Sequence, residues 1–153
     1  VSASIESFVA QARAALPHEP IAHYKVRTYG NSAAIADVII PLILKREKTG
    51  TFALESEFEH PPELAPTVGD YYVVTRFTGE PVLLYRITEV QRVAFNDINH
   101  EHVQVEGPNA RTVPVWRKIH WDYWGQILRQ QGRTPDERMP VLFQRFEVLY
   151  PAG

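Results

Sequence analysis

The chain has 153 residues, of which 44% are hydrophobic and 22% charged, with a formal net charge of −2. That balance fits one ordinary globular domain, and it supplies no overall attraction to polyanions, so any nucleic-acid contact must be local. The absence of cysteine excludes disulfide scaffolds, thiolate zinc sites and cysteine nucleophiles.

Ser2 to Leu16 carries Ile5, Phe8, Val9, Ala12 and Leu16 at helical spacing. Glu6 and Arg13 interrupt the segment, which makes it neither a signal peptide nor a membrane span, and the chain reads as a soluble cytoplasmic protein. The helix is expected to stop at Pro17, with His18 to Ala22 as a connector. Residues 1–22 are therefore predicted to form an N-terminal helical extension and residues 23–153 the main domain. Tyr24 to Tyr29 reads as extended. Gly30-Asn31-Ser32 supplies a turn and a capping hydroxyl for a helix over Ala33 to Lys45, with Ile35, Val38, Ile39 and Leu42 on one face and a kink or new turn at Pro41.

Strands are predicted at Thr49 to Leu54, Tyr71 to Phe77 and Val82 to Val93, the last two joined as a hairpin by Thr78-Gly79-Glu80-Pro81. Glu55 to Pro66, acidic and proline-rich, reads as a surface excursion without an element of its own. Asn96 or Asp97 is expected to open a short helix. A longer aromatic helix spans Val113 to Gln130, Gly132 closes it, and Val141 to Tyr150 alternates as a final strand. With no βαβ alternation, this order predicts an α+β domain on a mixed, strongly curved sheet.

The run Lys45-Arg46-Glu47-Lys48-Thr49-Gly50-Thr51 joins the second helix to the next strand and is the candidate reaction centre, because a turn can aim a lysine and a threonine into a shared cavity. The same composition has a structural explanation, since the helix macrodipole favours basic residues in a last turn and strands favour β-branched residues.

Gly30-Asn31-Ser32, the Glu47-Lys48-Thr49-Gly50-Thr51 segment, Val68-Gly69-Asp70, Phe95-Asn96-Asp97, Val105-Glu106-Gly107, Trp116 to Trp124, Met139-Pro140-Val141 and Arg145-Phe146-Glu147-Val148 follow one another in an order that resembles bacterial ASCH-domain proteins. The resemblance covers about residues 24 to 150. It implies a PUA-like fold, a small mixed β-barrel with flanking helices and a cleft lined by motif residues. The family motif reads Gly-x-Lys-Thr-x-Thr, and here Arg46 stands at the position of its first glycine.

Some small ASCH proteins are amidohydrolases that remove an acyl group from the exocyclic amine of cytidine, and the resemblance assigns the lysine, threonine and glutamate of that activity to Lys48, Thr51 and Glu106. A threonine hydroxyl becomes a nucleophile when a base takes its proton, and a lysine is a base only when neutral. The helix C-terminus and Glu106 favour the ammonium form; desolvation, aided by Lys45, opposes them. In a straight strand residues 48 and 51 would face opposite ways, so Lys48 must sit on the turn.

Other superfamily members are described as ribonucleases or non-catalytic RNA-binding modules. For a cytidine-like nucleoside or single-stranded RNA the candidate contacts are Lys45, Lys48, the Thr49 hydroxyl, Arg117, Tyr24, Tyr29 and Trp116, with Glu57 bonding a base edge or lying in a solvated acidic loop. Glu55, Glu57, Glu59 and Glu63 would repel a phosphate chain bordering the cleft. The Trp116, His120, Tyr123 and Trp124 stripe is mostly core by its helical spacing. His100 and His102 fall on a predicted helix or loop, where their spacing diverges, so no metal site is expected. No cofactor is implied; a ribonuclease would use at most a loosely held divalent cation.

Overall fold

In the computed structural model, which describes residues 3–153, Ile5, Val9 and Ala12 form the buried stripe of helix α1 (Ala3–Ala15). Ser2, the first residue of the predicted helix, and Val1 before it lie outside the described residues. Arg13 in the last turn of α1 donates from Nε to the Ile21 carbonyl at 2.8 Å and so folds the connector back along the helix. Within that connector Glu19 accepts from Tyr71 Oη at 2.7 Å and pairs with Arg86 at 2.8 Å. The predicted extension therefore packs on the sheet, with Tyr71, Val73 and Leu84 beneath α1.

The remaining elements are β1 (Lys25–Thr28), α2 (Ala33–Leu44), β2 (Gly50–Leu54), β3 (Tyr71–Thr75), β4 (Pro81–Ala94), α3 (His100–Val103), α4 (Val113–Gln130) and β5 (Pro140–Tyr150). They build a five-stranded sheet of order β1-β3-β4-β5-β2 in which β1 pairs parallel with β3 and the other pairs are antiparallel. Register shifts at Leu84/Tyr85 and Ile87/Glu89 in the long strand β4 add local twist, and the sheet curls into a half-barrel. This is the mixed, strongly curved α+β architecture expected from the sequence.

Alternation along β5 divides the core. Phe146 and Val148 face α2, whose Ala36, Ile40 and Ile43 pack on Tyr72, Val74, Tyr85 and Ile87. Val141 and Phe143 point the other way, to Trp116, Trp124 and Leu128 of α4. Ser32 caps α2, its Oγ accepting from Ile35 N at 3.3 Å, and the helix runs through Pro41 to Leu44 rather than ending there.

Three local expectations need correction. The strand expected to reach Phe77 stops at Thr75, because Arg76 N–H closes the hairpin turn onto Glu80 O at 2.8 Å and leaves Phe77 exposed. Glu55 to Pro66 contains two short 3₁₀ turns, Glu55–Phe58 and Pro62–Leu64. The short helix is opened by Asn99, not Asn96 or Asp97: Asn99 Oδ1 accepts from Glu101 N and His102 N, and His102 Nδ1 accepts from Asn99 N. No described helix is long and apolar enough to cross a membrane.

Candidate active site

The site begins at the C-terminus of α2. Arg46 takes φ of +61°, the left-handed conformation that its family counterpart glycine would adopt without strain. Arg46 N donates to Ile43 O at 3.0 Å and Glu47 N to Leu42 O at 2.9 Å, the paired bonds of a Schellman ending. The turn is thus as tight with arginine as the motif demands. The Arg46 side chain compensates part of the strain by donating to Leu44 O at 2.7 Å and Pro151 O at 2.8 Å.

Lys48 follows on the same turn, its N–H bonded to Leu42 O at 3.0 Å, before β2 begins at Gly50. Strand alternation therefore does not bind it, and it shares a cavity with Thr51 of β2. Its ammonium meets Glu106 Oε1 at 2.5 Å, with Lys48 5% and Glu106 7% exposed. Two backbone fastenings hold the lysine turn against the glutamate loop. Thr49 N donates to Val105 O at 2.8 Å. The Arg111 guanidinium bridges Glu106 O and Glu47 O, each at 2.7 Å. Gly50 makes the close approach possible, since a Cβ there would lie 2.4 Å from Gln144 O and 2.8 Å from Val105.

The cavity has a volume of about 550 Å³ and is bounded by α2, β2, the 3₁₀ turn after β2, the Glu106 loop and α4. His120 of α4 reaches it with its ring stacked on Trp116, centroids 4.3 Å apart. His120 Nδ1 lies 2.9 Å from Trp116 O, which can only accept, so Nδ1 carries the hydrogen and Nε2 is bare. Burial pulls the His120 pKa below its ordinary value and outweighs the opposing pull of Glu106, leaving a neutral ring whose Nε2 is 3.7 Å from Glu106 Oε2.

A second polar group forms another part of the wall. Arg27 Nη1 donates to Tyr85 Oη at 2.6 Å and to Gln144 Oε1 at 3.0 Å, and its guanidinium lies 4.0 Å above the Tyr72 ring. Tyr85 Oη bonds Tyr29 Oη at 2.7 Å, and burial raises the Tyr85 pKa well above the ordinary phenol value, so it is neutral there. Glu57 also lines the cavity. Solvent reaches it through the opening, yet surrounding protein raises its carboxyl pKa, with the Arg27 charge opposing.

Of the residues singled out from sequence, Lys48, Thr51, Glu106, Tyr29 and Glu57 line this one cavity; Lys45, Thr49, Trp116 and Arg117 do not. Lys45 is the exposed C-cap of α2. Thr49 engages through its backbone while its side chain is exposed. Trp116 is fully buried, 4.8 Å from the Phe52 ring and 5.4 Å from Phe95, and so packs the core instead of meeting a ligand. Arg117, one position on, is exposed and donates to Asn96 O at 2.9 Å beside a separate depression. Tyr24 packs in the α1 cluster. Arg27, Tyr85 and Gln144 were missed, since each is an isolated polar residue in a strand-like run; the one available signal was a charged or amide side chain at an otherwise inward position. Among the described residues no group of three or more His, Asp or Glu converges to hold a metal ion.

A curled mixed sheet with a helix-to-strand lysine turn at its mouth defines a PUA-like domain. The ASCH domain family model matches residues 25–150, and the chain belongs to that family. The ASCH domain from Lactobacillus crispatus is similar in structure, with a TM-score of 0.89 at 24% identity over 98% of this chain and 96% of that one. A protein from Enterococcus faecalis is similar with a TM-score of 0.84 at 20% identity, over 95% of this chain and 87% of the other. No curated protein sequence matches this one.

Proposed function

We propose that the cavity hydrolyses the amide formed on the exocyclic amine of a cytidine-like nucleoside. The reading rests on one observation, the buried Lys48–Glu106 pair sharing a cavity of about 550 Å³ with the Thr51 hydroxyl. That volume lies in the usual small-molecule range of about 300–1,000 Å³, and Ile35, Val38, Ile39 and Phe52 supply apolar walls for a base and its acyl group.

The pair supplies the chemistry. The lysine acts as a base once one proton has passed from the Lys48 ammonium to the Glu106 carboxylate, a transfer that leaves a neutral amine and a neutral acid. The amine then takes the Thr51 hydroxyl proton as Oγ1 forms a bond to the acyl carbon. When the tetrahedral intermediate collapses, the C–N bond breaks and Glu106 delivers its proton to the departing exocyclic nitrogen. Water attacks the acyl-threonine ester; its proton passes to the Glu106 carboxylate, the C–O bond breaks, and the Lys48 ammonium returns a proton to Thr51. The bare His120 Nε2 and Glu106 Oε2 face one another as two acceptors, 3.7 Å apart, a pairing that suits a donor such as this water held against both.

Incubation of the purified protein with acylated cytidine, followed by chromatography for free cytidine, tests the reading. Release of cytidine is expected, and Thr51→Val, which keeps the shape and removes the hydroxyl, should reduce the rate by at least about a hundredfold. Survival of the acylated nucleoside while single-stranded RNA is cut, or an undiminished rate in Thr51→Val, would overturn it.

A further inference from the structure

The Lys48 charge is in contact with Glu106, whereas Arg27 meets the Glu57 carboxylate only through space, without a bond. Its guanidinium forms no ion pair among the described residues, and its hydrogen-bond partners, Tyr85 and Gln144, are both neutral. Both bonds use Nη1. The Nε and Nη2 hydrogens on the other edge have no protein acceptor among the described residues, yet neither atom is sealed from solvent, because Arg27 lines the cavity. A guanidinium presents its Nε–H and Nη2–H as two parallel donors in one plane. Donors that only water can reach, on a guanidinium held in place by its other edge, are free to exchange that water for a ligand with matching acceptors.

We propose that Arg27 is a recognition residue for a planar edge bearing two adjacent acceptors, the pattern that N3 and O2 of cytosine present. This rests on the nucleoside reading above and specifies which base the cavity takes. Placement supports it. Gln144, which holds Arg27 at 3.0 Å, is the direct cross-strand partner of Thr51. Directly opposed residues sit roughly 5 Å apart at Cα with their side chains on one face, so the hydroxyl and the side chain that holds the fork line the same face of the cavity. An exocyclic nitrogen at Thr51 then leaves the two ring acceptors facing the fork. The stacking of Arg27 on Tyr72 and the bonds to Tyr85 and Gln144 fix the plane of the fork. Uracil has the same shape but carries a hydrogen on N3, which would oppose a donor and leave one Arg27 hydrogen unpaired. A carboxylate offers the same two-acceptor chemistry from a different source.

The experiment is calorimetric titration with unacylated cytidine, uridine and acetate, which needs no turnover. Cytidine should bind roughly tenfold to a hundredfold more tightly than uridine, the cost of one buried unpaired donor. Arg27→Met should abolish that preference. Arg27→Lys, which keeps the charge and loses the fork, should weaken cytidine binding by about tenfold at unchanged thermal midpoint, and it decides the question if Arg27→Met does not fold. Equal affinity for the two nucleosides, no nucleoside binding, a preference that persists in Arg27→Met, or displacement of cytidine by stoichiometric acetate would each overturn the assignment. If acylated cytidine is not hydrolysed but the Arg27-dependent preference holds, the hydrolase reading fails and this one stands.

Discussion

Removing Lys48 alone should damage the fold as well as the chemistry, because its charge is buried against another. Lys48→Met preserves the side-chain length and strands the Glu106 carboxylate, whose side chain is 9% exposed. Breaking a buried pair by deleting one partner costs about 3–5 kcal/mol, and access to the cavity puts this case near the lower bound of about 3 kcal/mol. Glu106→Leu strands the ammonium and should cost a similar amount. The double variant Lys48→Met/Glu106→Leu removes both charges and their desolvation together, so its stability should lie within about 1 kcal/mol of the unmodified protein. The double change then falls short of the sum of the singles by about 5 kcal/mol, a coupling that urea unfolding at neutral pH resolves. Tryptophan fluorescence reports it, with Trp116 and Trp124 buried in the α4 cluster. Single variants that each cost under about 1 kcal/mol and simply add would show a solvated, weakly coupled pair, and the desolvation argument for a neutral lysine would fall with it.

Three further outcomes follow from the geometry. At position 46, glycine relieves a left-handed backbone that alanine does not, so Arg46→Gly should be more stable than Arg46→Ala by about 1 kcal/mol in chemical denaturation; equal stability would deny the strain. Gly50→Ala places a methyl against the Gln144 carbonyl and Val105 and should cost about 1–3 kcal/mol, seen as a lower thermal midpoint, whereas an unchanged midpoint would contradict the close approach. Burial lowers the pKa of His120 from an unfolded value of 6.5, so the unfolded chain takes up a proton that the folded one declines. Stability should therefore fall as pH drops through 6.5 towards the lower folded value, and His120→Gln should flatten that slope in thermal melts, leaving the contribution of His102, also lowered by burial. An identical slope in His120→Gln would refute the neutral, buried assignment.

The element order was legible because strong local signals agreed: apolar period in α1 and α4, the Ser32 cap, and the turn at Gly79. The Lys48, Thr51 and Glu106 constellation was legible through motif order, and only coordinates could show that Lys48 escapes strand alternation by sitting on a Schellman turn. The misplaced candidates on α4 share a cause. Trp116 and Arg117 are adjacent on α4, and a helix turns successive residues by about 100°, so one went to the core and the other to the far surface, while His120 turned towards the cavity. Arg27 and Gln144 were illegible because their meaning comes from pairing across sequence separation of 117, which no window along the chain can see. Asn99 displaced Asn96 as helix cap because Phe95 is buried in the core and holds Asn96 in a 3₁₀ turn beside it.

Charge balance in the cavity bears on which ligand it suits. Arg27 and Lys48 contribute positive charge to its lining, Glu57 and Glu106 negative charge, and His120 is held neutral by burial. The formal total is therefore zero. A polyanion gains nothing overall from such a wall and meets Glu57 directly. The neighbouring carboxylates do not change this balance, since Glu55 is paired with Arg92 and Glu59 with Arg133 outside the cavity. Polarity is instead segregated within the site: a guanidinium at Arg27, an ion pair at Lys48 and Glu106, and the apolar residues Ile35, Val38 and Ile39 of α2 on the same lining. A neutral, planar ligand with an acceptor edge and a reacting nitrogen satisfies each part without an uncompensated charge, whereas a phosphate chain would leave Glu57 opposed and the apolar wall unused.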